Sequence, residues 1–287
     1  MSSPTPTRNA SGRVWLITGA SSGFGRAIAE AALAAGDTVV ATARRPETLN
    51  DLLASHPDRA AAVQLDVTDN ARITEVVAEV VLWYGRIDVL VNNAGHGQVG
   101  AVEETTDREL RDLMDVHFFG PAALVRAALP HMRAQGSGAV VQISSFGGQT
   151  SVAGFSAYSA TKFALEGLSV ALAAEVAPLG IKTLIVEPGA FRTEFSGSAL
   201  HESAELEAYA ETVGPTRSFI KGVDGSQPGD PAKAAAAILT ALDAETTPLR
   251  LPLGNDSFDG LFAHLDSMRQ ELVTWEKLGR DVNFPES

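Results

Sequence analysis

What most constrains the fold of this chain is an alternation. From Arg13 to Pro188, short runs of apolar, often β-branched residues alternate with longer Ala-rich periodic segments. "RVWLIT" (13–18), "TVVATA" (38–43), "AAVQLD" (61–66), "IDVLVN" (87–92), "GAVVQIS" (138–144) and "IKTLIVEP" (181–188) read as strands. Helical patterns lie between them over 24–36, 46–55, 69–84, 107–133 and 155–178, the fourth with an adjustment expected near Gly120–Pro121. The strands are nearly continuous apolar runs, which is the pattern of a sheet buried on both faces. The alternation predicts an α/β fold with a doubly wound parallel sheet of about seven strands flanked by helices.

After Pro188 the rhythm breaks. Residues 190–227 scatter Gly, Ser and Pro among short helical patterns and read as an insertion over the substrate side. Within it, "HESAELEAYAET" (201–212) is either a mobile lid helix or a solvated acidic one. A helix over 231–243, a strand over 249–253 and a helix over 256–278 complete the chain. No repeat or long linker divides it, so 13–287 is expected to be a single domain and the polar, Pro-rich residues 1–12 a flexible tail.

The chain has no Cys, which removes disulfides and thiolate catalysis and fits a reducing, cytoplasmic setting. A net charge of −13 argues against nucleic acid as a partner. No uninterrupted apolar stretch is long enough for a membrane span, and the opening residues lack the apolar core of a signal peptide, so no membrane partner is expected. An acidic protein must bind an anionic cofactor with local donors, and the first strand runs straight into a candidate for this. "TGASSGFG" (18–25) places Gly19, Ser21, Ser22, Gly23, Phe24 and Gly25 between a strand and a helix start. There a backbone can turn tightly and offer its N–H groups to a pyrophosphate, as in a Rossmann-type sheet. The second strand ends "ATARRPE", with Ala43 where an NAD site carries an acid. A carboxylate repels a 2′-phosphate whereas a guanidinium pairs with it. NADP is therefore expected over NAD, with Arg44 ahead of Arg45 as its reader.

With "LDV" (65–67), "NNAG" (92–95), "ISS" (143–145), Tyr158-x-x-x-Lys162 and "PGAFRT" (188–193) following in that order, the chain resembles the short-chain dehydrogenase/reductase superfamily. The likeness covers about 13–253, and the look is that of the 17β-hydroxysteroid and retinol dehydrogenase branch. The resemblance implies adenine contacts from Asp66 and Val67, and Asn93, Ala94 and Gly95 along the cofactor. It also implies a nicotinamide site at Pro188, Gly189 and Thr193, with Lys162 on the nicotinamide ribose. A homodimer or homotetramer built on the helices at 107–133 and 155–178 is implied as well.

Reduction of a ketone needs a hydride at carbon and a proton at oxygen. A free Tyr, with a pKa of about 10, is a poor base near neutrality. Lys162, one helical turn along, is expected to lower the Tyr158 pKa by roughly 3 units through its charge, making Tyr158 the general acid or base. Ser145 stands where the family places its substrate-orienting Ser, and strand alternation lets only one of Ser144 and Ser145 face the cleft. "VHFFG" (116–120) departs from the family's pattern by placing His117 where Asn is usual. His117 is expected to take over a proton relay, adding a group that titrates near pH 6.5, against the alternative of a packed structural His. Phe146, Val152, Phe155, Phe191 and Phe195 make the substrate wall apolar, which predicts a hydrophobic ketone or secondary alcohol as the small-molecule substrate. No metal-like spacing of ligands is found. The leading expectation is an NADP-dependent carbonyl reductase or alcohol dehydrogenase. A non-catalytic NADP-binding sensor on the same fold is the alternative.

Overall fold

The computed structural model describes residues 12–284, so the expected tail lies, but for Gly12, outside the described residues. In chain order the strands are β1 (Val14–Ile17), β2 (Thr38–Ala43), β3 (Ala60–Gln64), β4 (Val89–Asn92), β5 (Gly97–Val99), β6 (Gly138–Ile143), β7 (Ile181–Pro188), β8 (Leu200–Glu202) and β9 (Arg250–Leu253). The helices are α1 (Gly23–Ala34), α2 (Asn50–Ser55), α3 (Asn70–Tyr84), α4 (Asp107–Met114), α5 (Gly120–Gln135), α6 (Ser156–Val176), α7 (Gly214–Val223), α8 (Pro231–Asp243) and α9 (Asn255–Arg280). Seven strands form one sheet in the order β3-β2-β1-β4-β6-β7-β9, and every pairing in it is parallel.

β1 shows why the strands read as unbroken apolar runs. Trp15 and Ile17 enter the core on the α1 and α8 face, while Val14 and Leu16 enter the core on the α3, α5 and α6 face. Successive side chains point to opposite faces, and here helices cover both. The strand order reverses on either side of β1 and β4. Their carboxyl ends, where chain direction diverges, open a crevice of the kind that binds ligands in such sheets.

Two features depart from the sequence reading. The single helix expected over 107–133 is two helices joined by a π turn at Asp115–Phe119, in which the Gly120 N–H bonds to Asp115 O. Pro121 has no N–H to give His117 O, so the regular ladder cannot continue and the turn widens just ahead of the Gly120–Pro121 step. Residues 201–212 do not form a lid helix. They start as β8, which pairs in parallel with β5, and the insertion's helix is α7. A strand of only three residues carries too little alternation to be seen in a sequence.

Candidate active site

The site begins at the β1–α1 turn. Gly19 sits at φ +64°, and a Cβ on it would lie 2.9 Å from Ala94 Cα. A Cβ on Gly25 would lie 2.4 Å from both Asn93 Nδ2 and Gly19 O. Gly25 thus lets α1 close on the loop, while Asn93 Nδ2 donates to Thr18 O at 2.8 Å and Gly19 O at 3.1 Å. Thr18 Oγ1 in turn accepts from the Asn93 and Ala94 N–H groups. The Asn93 amide nitrogen therefore braces the glycine loop. Ser21 and Ser22 are exposed, and Ser22 makes no side-chain cap to α1. That leaves the first N–H groups of α1 open to an anion. Phe24 turns its ring away, packing against Phe191 at 5.0 Å.

Arg44 and Arg45 follow β2 and are exposed. Arg26, the other guanidinium near the loop, is held by Asp51 and Glu30. No described carboxylate forms an ion pair with Arg44. Asp66 is exposed and accepts from Thr68 N and Oγ1, while Val67 is buried. Across the crevice, Thr193 lies beside the loop, since a Cβ on Gly23 would be 3.3 Å from Thr193 Cβ. Pro188 ends β7, the Gly189 N–H bonds to Leu253 O, and Ala190 is held by Asp256, whose Oδ2 accepts from Ala190 N at 2.6 Å. Asp256 was not among the sequence candidates, and only its place at the start of α9 marks it.

Tyr158 and Lys162 lie one turn apart on α6, both buried. Lys162 Nζ is 5.7 Å from the Tyr158 ring centroid and donates to Ile143 O at 2.9 Å. Ser145 lies close enough to the Tyr158 hydroxyl to draw its pKa down, and Ser145 Oγ accepts from Gly147 N at 3.0 Å. Ser144 Oγ is buried on the other side of the strand with no partner. The expected lowering of the phenol pKa is not what the chain alone does. Burial pushes Tyr158 up to about 12, only partly opposed by Ser145, and burial pulls Lys162 down to about 8. The rings of His117, Phe155 and Phe195, at 5.6, 5.7 and 5.4 Å, shut water away from the phenol. With Lys162 nearly a ring's width off, desolvation outweighs its charge.

His117 also departs from the expectation of a group titrating near pH 6.5. Its ring is fully buried, its Nε2 accepts from the His96 N–H at 3.1 Å, and its Nδ1 meets Thr161 Oγ1 at 2.9 Å. Thr161 Oγ1 already donates to Tyr158 O, so it must accept from Nδ1–H, which fixes the neutral tautomer. Burial, then the charge of Lys162, holds His117 well below its ordinary pKa. Both ring nitrogens are occupied, and neither bonds to Lys162. The apolar candidates divide as well. Phe155 and Phe195 face Tyr158, but Phe191 lies in the core beside Phe24. Phe146 covers Gly260 of α9, and Val152 is exposed.

Near Ser144 and Lys162 lies a cluster that no spacing in the sequence marks out. Glu187, the last residue before Pro188, and Glu166, one turn past Lys162, are both buried and both lie 3.1 Å from Arg250 Nε. Gln149 donates to Glu187. Burial, then repulsion from Glu166, pushes Glu187 up to about 7. A group whose folded pKa exceeds its unfolded value of about 4.5 favours the fold while protonated. Its contribution is full below about 4.5 and is lost as pH rises through about 7. Glu187→Gln should therefore gain melting temperature relative to the native protein between pH 5 and 7.5, a trend that paired thermal melts would detect. A constant difference across that range would show that Glu187 does not take up a proton there.

No cluster of possible metal ligands occurs among the described residues, and no described helix is long and apolar enough to cross a membrane. Residues 13–204 match the profile of the short chain dehydrogenase family. Oxidoreductase BOA17 of Botryotinia fuckeliana is 40% identical over 86% of this chain and 90% of its own length. The crystal structure of a short-chain dehydrogenase from Streptomyces avermitilis is 68% identical, with a TM-score of 0.90 over 94% of this chain and 98% of that one. A metagenomic short-chain oxidoreductase in complex with NADP is 29% identical, with a TM-score of 0.66 over 85% of this chain and 97% of that one. With this order of motifs on this sheet, the chain belongs to the short-chain dehydrogenase/reductase family and is an oxidoreductase.

Proposed function

We propose that residues 13–287 act as one catalytic domain, an NADP(H)-dependent carbonyl reductase or alcohol dehydrogenase for a hydrophobic ketone or secondary alcohol. The observation that carries this reading is the buried Tyr158 hydroxyl close to Ser145 at the sheet's carboxyl edge, with Lys162 one helical turn away on the same helix. The residues fit the cofactor. The loop 19–25 and the uncapped start of α1 suit the pyrophosphate, and Arg44 the 2′-phosphate. Asp66 and Val67 would meet the adenine, the backbone of 93–95 would follow the cofactor, and 188–189 with Thr193 would hold the nicotinamide. Binding of NADP by the 29%-identical relative supports the choice. When bound, the cofactor supplies or accepts the hydride.

In reduction, the Ser145 hydroxyl orients the carbonyl oxygen and donates to the growing alkoxide. Tyr158 gives that oxygen its proton. A phenol kept protonated by burial is well suited to donate. Lys162 stabilises the phenolate that remains, and the reverse direction uses Tyr158 as base. Phe155 and Phe195 make the wall apolar. Phe119, Phe163 and Val170, exposed on the π turn and α6, offer a face to a partner copy.

The test is consumption of NADPH and NADH in parallel with a panel of steroid, quinone and small cyclic ketones. Arg44→Ala carries a further expectation. Losing a charge-assisted bidentate contact costs about 1.5–3 kcal/mol, so KM for NADPH should rise about 10- to 100-fold while KM for NADH stays level. Equal effects on both cofactors would remove Arg44 from that role.

A further inference from the structure

Helix α9 leaves the body after its first two turns. Ser257 and Leu261 are its buried residues, and from Phe262 to Arg280 every position but the half-buried His264 is exposed. The projecting segment carries Leu265, Met268, Leu272 and Trp275, with Leu272 69% and Trp275 60% exposed. Phe258, Leu261, Leu265, Met268, Leu272 and Trp275 follow one another at alternating steps of three and four residues. That is the seam of a helix that packs on another helix. A lone helix of this length is marginal in water, and β-branched Val273 and Thr274 do not help it. Among the described residues nothing of this chain covers the seam.

We propose that residues 262–280 pair with the same segment of a second copy, antiparallel, so that the protein associates through a two-helix arm distinct from the α5 and α6 face. Charge favours this occupant over a lipid surface. Interfacial helices carry basic polar faces, whereas α9 holds Asp256, Asp259, Asp266, Glu271 and Glu276 against Arg269, Lys277 and Arg280, in a chain of net charge −13. Charge also sets the direction. The aspartates lie toward the root of the arm, whereas at its tip Lys277 and Arg280 are balanced by Glu276, paired with Arg280 at 2.8 Å, and by Asp281. An antiparallel pair therefore keeps the two acidic roots apart and brings Lys277 and Arg280 of one copy to the root of the other. A parallel pair would lay acid on acid. Beyond the helix, Val282 and Phe284, 80% and 96% exposed, extend the apolar line.

Sedimentation velocity across micromolar concentrations tests this, with circular dichroism as the control for folding. The full chain should associate. Leu272→Glu combined with Trp275→Glu, on exposed positions remote from Tyr158, should remove one association step by raising its Kd about a hundredfold or more. Lys277→Glu with Arg280→Glu should raise that Kd about tenfold, and adding Asp259→Lys with Asp266→Lys to the same chain should restore it. A monomeric full chain would overturn the proposal, as would unchanged association in the Leu272/Trp275 variant or a charge swap that fails to restore pairing. Binding to anionic vesicles that is lost in the Leu272/Trp275 variant would also overturn it, assigning the seam to lipid.

Discussion

Tyr158→Phe should lower kcat about a thousandfold or more and leave NADPH affinity within about twofold, because a positioned proton donor contributes on the order of 100- to 10,000-fold. The substitution removes one oxygen and keeps the ring that packs between His117, Phe155 and Phe195. The lost oxygen lies near Ser145, so the cost in stability should not exceed about 1 kcal/mol, the usual worth of one hydrogen bond. A large fall in melting temperature would instead mean that the phenol serves the fold. Lys162 should respond differently. Its ammonium is tied to Ile143 O, so Lys162→Met should disturb both the end of β6 and turnover. Tyr158→Phe is therefore the cleaner separation of chemistry from structure.

The second large effect lies in how the insertion is fastened. Arg217 on α7 meets Glu104, which follows β5, at 2.7 Å, with 6% and 2% of the two side chains exposed. Glu104 also accepts from the Ala101 and Leu206 N–H groups. Burial alone would raise the Glu104 pKa, but those two bonds and Arg217 together hold it below its ordinary value. Arg217→Met strands this carboxylate, and breaking a buried pair from one side costs about 3–5 kcal/mol. The loss should appear as a lower melting temperature and faster hydrogen exchange at Gly97, Ser203 and Leu206, whose N–H bonds join the insertion to the body. Adding Glu104→Gln removes the stranded charge but keeps an acceptor for only one of the two N–H groups, so it should recover part of the stability. If Arg217→Met alone melts like the native protein, the pair contributes nothing to holding the insertion.

Much of this architecture was legible because the sheet is buried on both faces. β2, β7 and α8 fall on the residues read from the sequence, since an apolar run between turn residues leaves few other solutions. Ser145 and Tyr158 meet because a strand end and a helix face are each fixed by local periodicity. What was hidden depends on tertiary contact. Phe191 and Phe195 look alike in "AFRTEF", but one lies in the core with Phe24 and the other stands over Tyr158. Asn93 reads as a cofactor residue in "NNAG", yet its amide braces the glycine loop. The tautomer of His117 follows from Thr161 and from the His96 N–H, neither of which is near it in sequence. The pKa of Tyr158 could not be read from Lys162 alone, because it depends on how completely three rings exclude water. Glu166, Glu187 and Arg250 come from three separate elements, and no spacing links them.

The most direct test of the central claim follows the hydride. The protein would be incubated with ketones from the panel and NADPH deuterated at its hydride-donating carbon, on one face and then the other, and the product alcohols read by mass spectrometry. One deuterium is expected on the carbinol carbon, from one face only, with yield lost in Tyr158→Phe. Alcohol formed without deuterium from either face, or formed equally well by Tyr158→Phe, would contradict the claim.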